Sequence, residues 1–326
     1  MKHKISVAMA VFEGERFISQ QLDSILCQSL LPDEIIICDD SRNDKTYKAI
    51  EKTIKRYSKI IKYFKNETRL GVSKNFEKAI SLSGGDIIFL SDQDDVWQSE
   101  KIQSLASLIM NSLFPIGTFC NSTIVDENLN PSGSSNWDNR RFSADIFLHA
   151  DKMEKLAIFA QIVPVAGHNM AFDAKLKDII LPFPDLPECH DTWIGLVIAA
   201  ASEWFLIDVE LTMFRQHQCN VSKVGKSNQL KQAIDSIKNN TFAWNVTLYD
   251  ELIKRLINNS VSLQPQILAL LKDRRDHSAT RAKMNCNIFK RLPLVCKEIK
   301  NKRYFKYGRG WKNIIQDLAL RGNLPW

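Results

Sequence analysis

Long apolar runs are missing from this 326-residue sequence; none is longer than Leu196 to Ala201, which is far short of the roughly 20 residues a membrane-spanning helix needs. Close cysteine pairs are missing too. The seven cysteines include no Cys-x-x-Cys, and their odd number argues against a full disulfide framework. Cys27, Cys38, Cys120 and Cys296 lie in or beside apolar stretches and are expected to be core thiols. Glycine is sparse, with Gly14 standing alone near the start, so no glycine-rich phosphate loop opens the chain. Met1-Lys2-His3-Lys4 is basic but leads into strand-like sequence and then Glu13 and Glu15, unlike a secretory leader. The expected compartment is therefore the cytoplasm, with any membrane contact peripheral.

What is present is alternation. Ile5 to Phe12, Glu34 to Cys38, Lys59 to Phe64 and Ile87 to Leu90 read as strands, the last a wholly apolar run fit for a sheet buried on both faces. Between them, Ile18, Leu22, Ile25 and Leu26 form the stripe of an amphipathic helix, Lys45 to Tyr57 forms a second, and Val72, Phe76, Ala79 and Ile80 mark a third. Strand and helix thus alternate to about residue 110. This implies an α/β fold with a mostly parallel central sheet flanked by helices.

Acids gather where two of those strands end. Asp39-Asp40-Ser41 follows the second strand and Asp92-Gln93-Asp94-Asp95 follows Leu90-Ser91. In open α/β sheets the carboxyl ends of the strands face the ligand crevice. Packed carboxylates raise one another's pKa unless a cation compensates, and hard oxygen ligands suit Mg²⁺ or Mn²⁺. A solvated acidic turn would explain one cluster; two clusters on one sheet edge call for a site.

These segments carry a family resemblance. Val7 to Gly14, Gln21 to Gln28 and Cys38-Asp39-Asp40-Ser41 resemble the opening of family 2 glycosyltransferases, which use the GT-A nucleotide-sugar-binding fold. Gly71 to Phe76 and Leu90 to Trp97 are similar to the bacterial rhamnosyltransferase branch. Val165 to Phe172, His190-Asp191-Thr192-Trp193 and Phe214 to Asn220 match the acceptor half in order and spacing. The resemblance covers residues 3 to 225. Val11 and Glu13 stand where the family commonly shows Thr and Asn, and Ser41-Arg42-Asn43-Asp44 replaces a commoner Gly-Ser-Thr-Asp. Both departures lie near the expected nucleoside and bear on base specificity.

The resemblance implies roles. Asp94 would hold the metal, with His217 as a nitrogen ligand from the acceptor half; Asp92 would meet the ribose hydroxyls, and Asp95 would shape or complete the site. Taken by type alone, His217 would be a surface histidine. Asp39 or Asp40 would accept from the base's ring N–H, Phe12 would cover the ring face, Arg69 would meet phosphate or base, and Ala10 would leave room for the nucleoside. Without the resemblance, Phe12 would be core and Arg69 solvated. Gly167, His168, Asn169 and Trp193 would face the acceptor. Asp191, ahead of the apolar run Ile194 to Ala201, would stand at a helix amino end, which favours its ionised form. It is the candidate general base for a single displacement that inverts the anomeric carbon; a helix-capping role is equally permitted by its position. The implied donor is dTDP-rhamnose, with UDP-hexose or UDP-N-acetylhexosamine next, and the implied acceptor is a glycan, free or on a polyprenyl diphosphate. A nucleotidyltransferase would need the missing glycine-rich loop, and a non-catalytic sugar-binding protein would not need Asp94 or Asp191.

Residues 1–225 thus read as one GT-A domain, nucleotide-binding to about 110 and acceptor-binding from 111, with a helical extension over 226–326. Within it, Arg281 to Lys312 holds eleven Lys or Arg against one acid, Glu298, interleaved with aromatic and aliphatic residues. That mixture suits an anionic membrane surface, here the inner face of the cell membrane. A net charge of +7 also fits nucleic acid, but no nucleic-acid motif accompanies it, so no such partner is expected.

Overall fold

The computed structural model describes residues 3–187, 189–218, 220, 241–259, 264–284 and 287–319. Cys219, and residues 226–240 at the expected start of the helical extension, lie outside them. The chain divides into two compact units: residues 1–149 with 164–223, and residues 150–163 with 224–326.

The first unit opens as an alternation of β1 (Ile5–Val11), α1 (Ile18–Leu26), β2 (Glu34–Asp39), α2 (Lys45–Arg56), β3 (Ile61–Lys65), α3 (Val72–Leu82) and β4 (Ile87–Ser91). After it come β5 (Val96–Trp97), α4 (Lys101–Met110), β6 (Gly117–Val125), β7 (Pro131–Ser135), β8 (Met170–Asp173) and β9 (Trp204–Arg215), with short helices and the helix His190–Ala201 between them. One sheet runs β3-β2-β1-β4-β8-β6-β9-β5, and β7 pairs β6 at its side. The four strands from β3 to β4 are parallel, with Val7 opposite both Ile35 and Phe89. Beyond them the sheet is mixed, because β8 runs antiparallel to both β4 and β6, whereas β9 runs parallel to β6.

Every residue of β1, β2 and β4 is buried, as expected of strands with helices on both faces. Ile18, Leu22 and Ile25 of α1 and Ile102, Leu105 and Ile109 of α4 pack on one face of these strands. Burial of this set is what drives assembly, each large side chain contributing about 1.5–3 kcal/mol. Gly85, just before β4, could carry no side chain: a Cβ there would lie 2.6 Å from Ser6 Oγ and 2.9 Å from Lys4 O. The parallel register brings Asp39, at the end of β2, level with Val11, so the acids after β2 and after β4 flank the end of β1.

The second unit is helical. The helix Lys152–Gln161, which the sequence pattern assigns to the acceptor half, packs instead with the helix Pro265–Ala282. Its Ala160 carbonyl accepts from Arg274 Nε at 2.8 Å, which ties it into this unit. Thr241–Asn258, Ile288–Lys300, Arg303–Tyr307 and Trp311–Ala319 complete it. Among the described residues no helix is long and apolar enough to cross a membrane. Cys38, Cys120 and Cys189 are buried, whereas Cys27 and Cys296 are exposed; the last two are therefore not the core thiols their neighbours suggest.

Candidate active site

The turn after β4 is the centre of the site, and β5 determines what it meets. Val96 pairs Met213 and Trp97 pairs Thr212 in antiparallel register, so extending the ladder by two places Asp94 opposite Arg215. Arg215 secures the crossing. Its Nε donates to the Asp94 carbonyl at 2.7 Å and its backbone N–H to Asp95 Oδ1 at 3.1 Å. Its remaining nitrogens reach the Glu127 carbonyl and Gln20 Oε1, both at 2.5 Å. Two residues on, His217 Nε2 lies 2.8 Å from Asp94 Oδ2, and its ring packs on Phe17 at 4.8 Å. Asn220 fixes the loop by accepting from His217 N at 2.6 Å and donating to the Arg215 carbonyl at 2.9 Å.

A second group forms deeper. Asp95 is fully buried, and His168 Nδ1 stands 3.7 Å from Asp92 and 3.9 Å from Asp95. His168 is held by Ser122 Oγ at 2.9 Å from Nε2 and by stacking on Phe214 at 4.3 Å. Burial lowers the His168 pKa. Burial, and then the charges of Asp94 and Asp92, push Asp95 well above the usual carboxylate range. The fully buried Lys101 is the compensating charge on the protein's side: its Nζ donates to the His168 carbonyl at 2.5 Å and to Thr212 Oγ1 at 2.8 Å. Burial brings its pKa down to about 8.

These residues fit a divalent cation. Asp95 Oδ2 is buried without a hydrogen-bond partner, and donor atoms of Asp92, Asp95 and His168 lie within 4.8 Å of one another. Asp94 Oδ2 and His217 Nε2 are hydrogen-bonded to each other at 2.8 Å, and both are also candidate ligands at the edge of the acid turn.

Beside the turn, Gln93 grips the end of β1, accepting from Phe12 N at 2.8 Å and donating to Phe12 O at 3.0 Å. Ser41 Oγ accepts from Glu13 N at 2.7 Å, and Glu13 takes a left-handed φ of 48°. Asn adopts that conformation more readily than Glu does. The Phe12 ring is half-buried and carries the Arg69 guanidinium 3.9 Å from its centroid, and Ala10, two residues earlier in β1, is buried. Asp39 accepts from Ser41 N at 2.8 Å and from the Tyr63 hydroxyl. Asp40 accepts from Asn66 Nδ2, Leu70 N and Gly71 N at 2.6–3.1 Å. Its carboxylate is thus already engaged in holding the Arg69 loop, where Gly71 supplies a φ of +82°.

On the acceptor side the structure corrects three expectations. Trp193 is fully buried with its indole N–H on the Ile180 carbonyl at 2.7 Å, so it packs the core and faces no acceptor. His168 points at Asp92 and Asp95 rather than outward. Asn169 is fully buried and accepts from Ala166 N at 2.8 Å. Trp193 and His168 thus have partners in the interior, whereas the buried Asn169 Nδ2 has none. Gly167 is buried near His190, whose ring stacks on Phe76 at 4.5 Å. Asp191 is half-buried in the first turn of its helix, its Oδ1 accepting from Thr192 N at 2.7 Å.

Residues that motif reading left without a role are Arg215, Gln93 and Lys101. Lys101 had a local signal: it lies four before Leu105 and so on the buried stripe of α4.

A parallel nucleotide-type half-sheet, an acid turn at its edge and a histidine delivered to that turn by a late strand define a GT-A-type α/β transferase fold. The chain belongs to Glycosyl transferase family 2, whose sequence profile matches residues 6–172, just over half of the chain. A dTDP-rhamnosyl transferase, RfbG of Shigella flexneri, is 26% identical over 230 residues, 65% of this chain and 72% of that protein. WfgD of Escherichia coli, a UDP-Glc:alpha-D-GlcNAc-diphosphoundecaprenol beta-1,3-glucosyltransferase, is 29% identical over 109 residues, 33% of this chain and 42% of that one. EpsE of Bacillus subtilis, a putative glycosyltransferase by name, is 33% identical over 93 residues, 28% of this chain; the match spans only about a third (34%) of EpsE. The fold is similar to S. aureus TarS 1-349 in complex with UDP-GlcNAc, with TM-score 0.56 at 16% identity over 99% of this chain and 93% of that one.

Proposed function

We propose that this chain is an inverting, metal-dependent glycosyltransferase that moves rhamnose from dTDP-rhamnose to a glycan acceptor in bacterial surface polysaccharide synthesis. The observation that carries the reading is the turn after β4, where Asp94 meets His217 and Asp92 and Asp95 gather around His168, with Gln93 tying the turn to Phe12 of the Phe12–Arg69 edge. The match to RfbG over 65% of the chain favours a rhamnosyl donor. The match to WfgD keeps a UDP-hexose or UDP-N-acetylhexosamine as the second choice.

Asp94 and His217 would hold Mg²⁺ or Mn²⁺, with Asp92 beside them for the ribose. When bound, the ion supplies Lewis-acid stabilisation of the charge that grows on the leaving diphosphate. The rest falls to the chain itself. Phe12 and Arg69 would take the base and a phosphate oxygen, while Asp39, bonded to Ser41 N and the Tyr63 hydroxyl, and Asp40, bonded to the Arg69 loop, order the loops around them. Asp191 removes the acceptor hydroxyl's proton as the anomeric carbon is attacked from the side opposite the leaving group. One base and no covalent nucleophile means inversion. A polyprenyl-diphosphate-linked acceptor would place the enzyme peripherally at the inner face of the cell membrane, and no nucleic-acid partner is involved. A non-catalytic sugar-binding protein is the reading of another class.

The test is a donor panel of dTDP-rhamnose, UDP-glucose and UDP-GlcNAc with Mn²⁺, scored by released nucleoside diphosphate. Release from dTDP-rhamnose above the others supports the proposal. Release from a UDP-sugar instead replaces the donor, and release from none favours the non-catalytic reading.

A further inference from the structure

Two helices of the second unit bury polar and charged groups while exposing large apolar ones. In Ile288–Lys300 the buried residues include Arg291 and Glu298, and in Trp311–Ala319 they include Gln316 and Asp317. Val295 and Ile314 of the same helices are buried in a small core with Met284 and Tyr304, but several large apolar side chains point outward: Phe289 is 84% exposed, Trp311 65%, Ile315 62% and Leu292 46%. Ile288, Phe289 and Leu292 fall at helical spacing on one side of their helix. Trp311 and Ile315 do so on theirs, extended by Phe305, whose ring meets that of Trp311 at 5.5 Å.

The acids of this stretch are buried as well. Between Lys283 and Ala319 the chain has two carboxylates, Glu298 and Asp317, and both are fully buried. Glu298 is tied to His277 at 2.5 Å and to Arg303 at 3.1 Å; Asp317 is tied to Arg281 at 2.7 Å and to the Tyr304 hydroxyl at 2.8 Å. The exterior of this stretch therefore carries cations and no acid. Lys283, Lys290, Lys297, Lys300, Lys302 and Arg309 are among those exposed.

We infer that these exposed faces dock onto an anionic lipid bilayer, with Phe289 or Trp311 entering the headgroup region and exposed lysines of the same stretch meeting lipid phosphates. Exposed aromatic and aliphatic side chains ringed by cations are the composition of an interfacial helix, and buried apolar area together with attraction to anionic lipid sets its affinity. A second copy of the chain is the poorer occupant. A two-fold contact would set this patch against itself, cation against cation, with no exposed carboxylate of the stretch to relieve the repulsion. Nucleic acid would satisfy the lysines and leave Leu292 and Ile315 unused. The inference deepens the membrane part of the proposed function and does not depend on the transfer reaction.

The test uses the full chain with sedimented vesicles of phosphatidylcholine, alone or with phosphatidylglycerol, at low and high salt. Wild type should bind the phosphatidylglycerol vesicles, weakly bind pure phosphatidylcholine, and bind less as salt rises. Phe289→Ser with Trp311→Ser, both outside the packed interior, should keep the thermal transition and lower binding at least about tenfold, a loss set by the apolar area removed. Lys290→Gln with Lys300→Gln and Lys302→Gln should bring release to lower salt. Equal binding to both vesicle types, no binding, or an aromatic variant that binds like wild type overturns the inference. So does light scattering that shows a wild-type dimer dissolved by the aromatic substitutions, which would assign the face to a second copy. Donor hydrolysis measured on the same proteins keeps the two readings apart: vesicle binding without hydrolysis removes the enzyme and leaves the docking face.

Discussion

His217 Nε2 stands 2.8 Å from Asp94 Oδ2 although 123 residues separate them in the chain. The pairing of β5 with β9 and the Arg215 clasp produce this approach, so its consequences can be tested at each of the three residues.

His217→Ala removes the nitrogen donor and leaves the Asp turn in place. The concentration of Mn²⁺ giving half-maximal nucleoside diphosphate release should rise at least about tenfold, in line with the effect of altering a metal site's supporting groups. An unchanged Mn²⁺ titration would leave His217 as a packing partner of Phe17.

Arg215→Lys keeps the charge and loses the fork that reaches Asp94, Glu127 and Gln20. Hydrogen bonds to a charged group contribute about 1.5–3 kcal/mol each, so the melting temperature should fall. The Mn²⁺ requirement should also rise, because His217 loses its fixed position. A stability loss with an unchanged Mn²⁺ requirement would confine Arg215 to folding.

Asp191→Asn keeps shape and removes basicity. Turnover should fall about 10²-fold or more, a typical general-base contribution, while donor affinity stays near wild type. Near-wild-type turnover would make Asp191 a first-turn helix residue only, which its bond to Thr192 N also permits.

Glu34 offers a pH test away from the site. Burial alone would raise its pKa, but Lys62 at 2.6 Å, Ser6 and the Gly84 N–H hold it below the ordinary value of 4.5. A depressed carboxylate stabilises the fold above its unfolded pKa, and that contribution disappears as pH falls through the folded value. Wild type should therefore exceed Glu34→Gln in melting temperature at pH 7, and the difference should shrink as pH falls below 4.5 through the depressed folded value. A constant difference across that range would mean the charge is not the stabilising element.

The nucleotide half was the more legible part. Continuous apolar runs specify buried parallel strands, and acids directly after them can only lie at the sheet edge, as at Asp39 and Asp92. Helix periodicity marked Ile18, Leu22 and Ile25, all fully buried. The acceptor half was less legible because long-range pairing decides it. Nothing local in Met213 or Arg215 shows that they meet Val96 and Asp94. Nor does Lys152–Gln161 show that its partner is a helix more than a hundred residues on. Trp193 and His168 were assigned by motif to the acceptor, but a motif does not record which way a side chain points.

The central claim is metal-dependent transfer at the Asp94–His217 pair. Its most direct test is nucleoside diphosphate release by wild type and Asp94→Ala, each with Mn²⁺ and then with excess EDTA. The account predicts release by wild type in Mn²⁺, its loss in EDTA, its return when Mn²⁺ is restored, and little release by Asp94→Ala in either condition. Full release in excess chelator, or by Asp94→Ala, would contradict it.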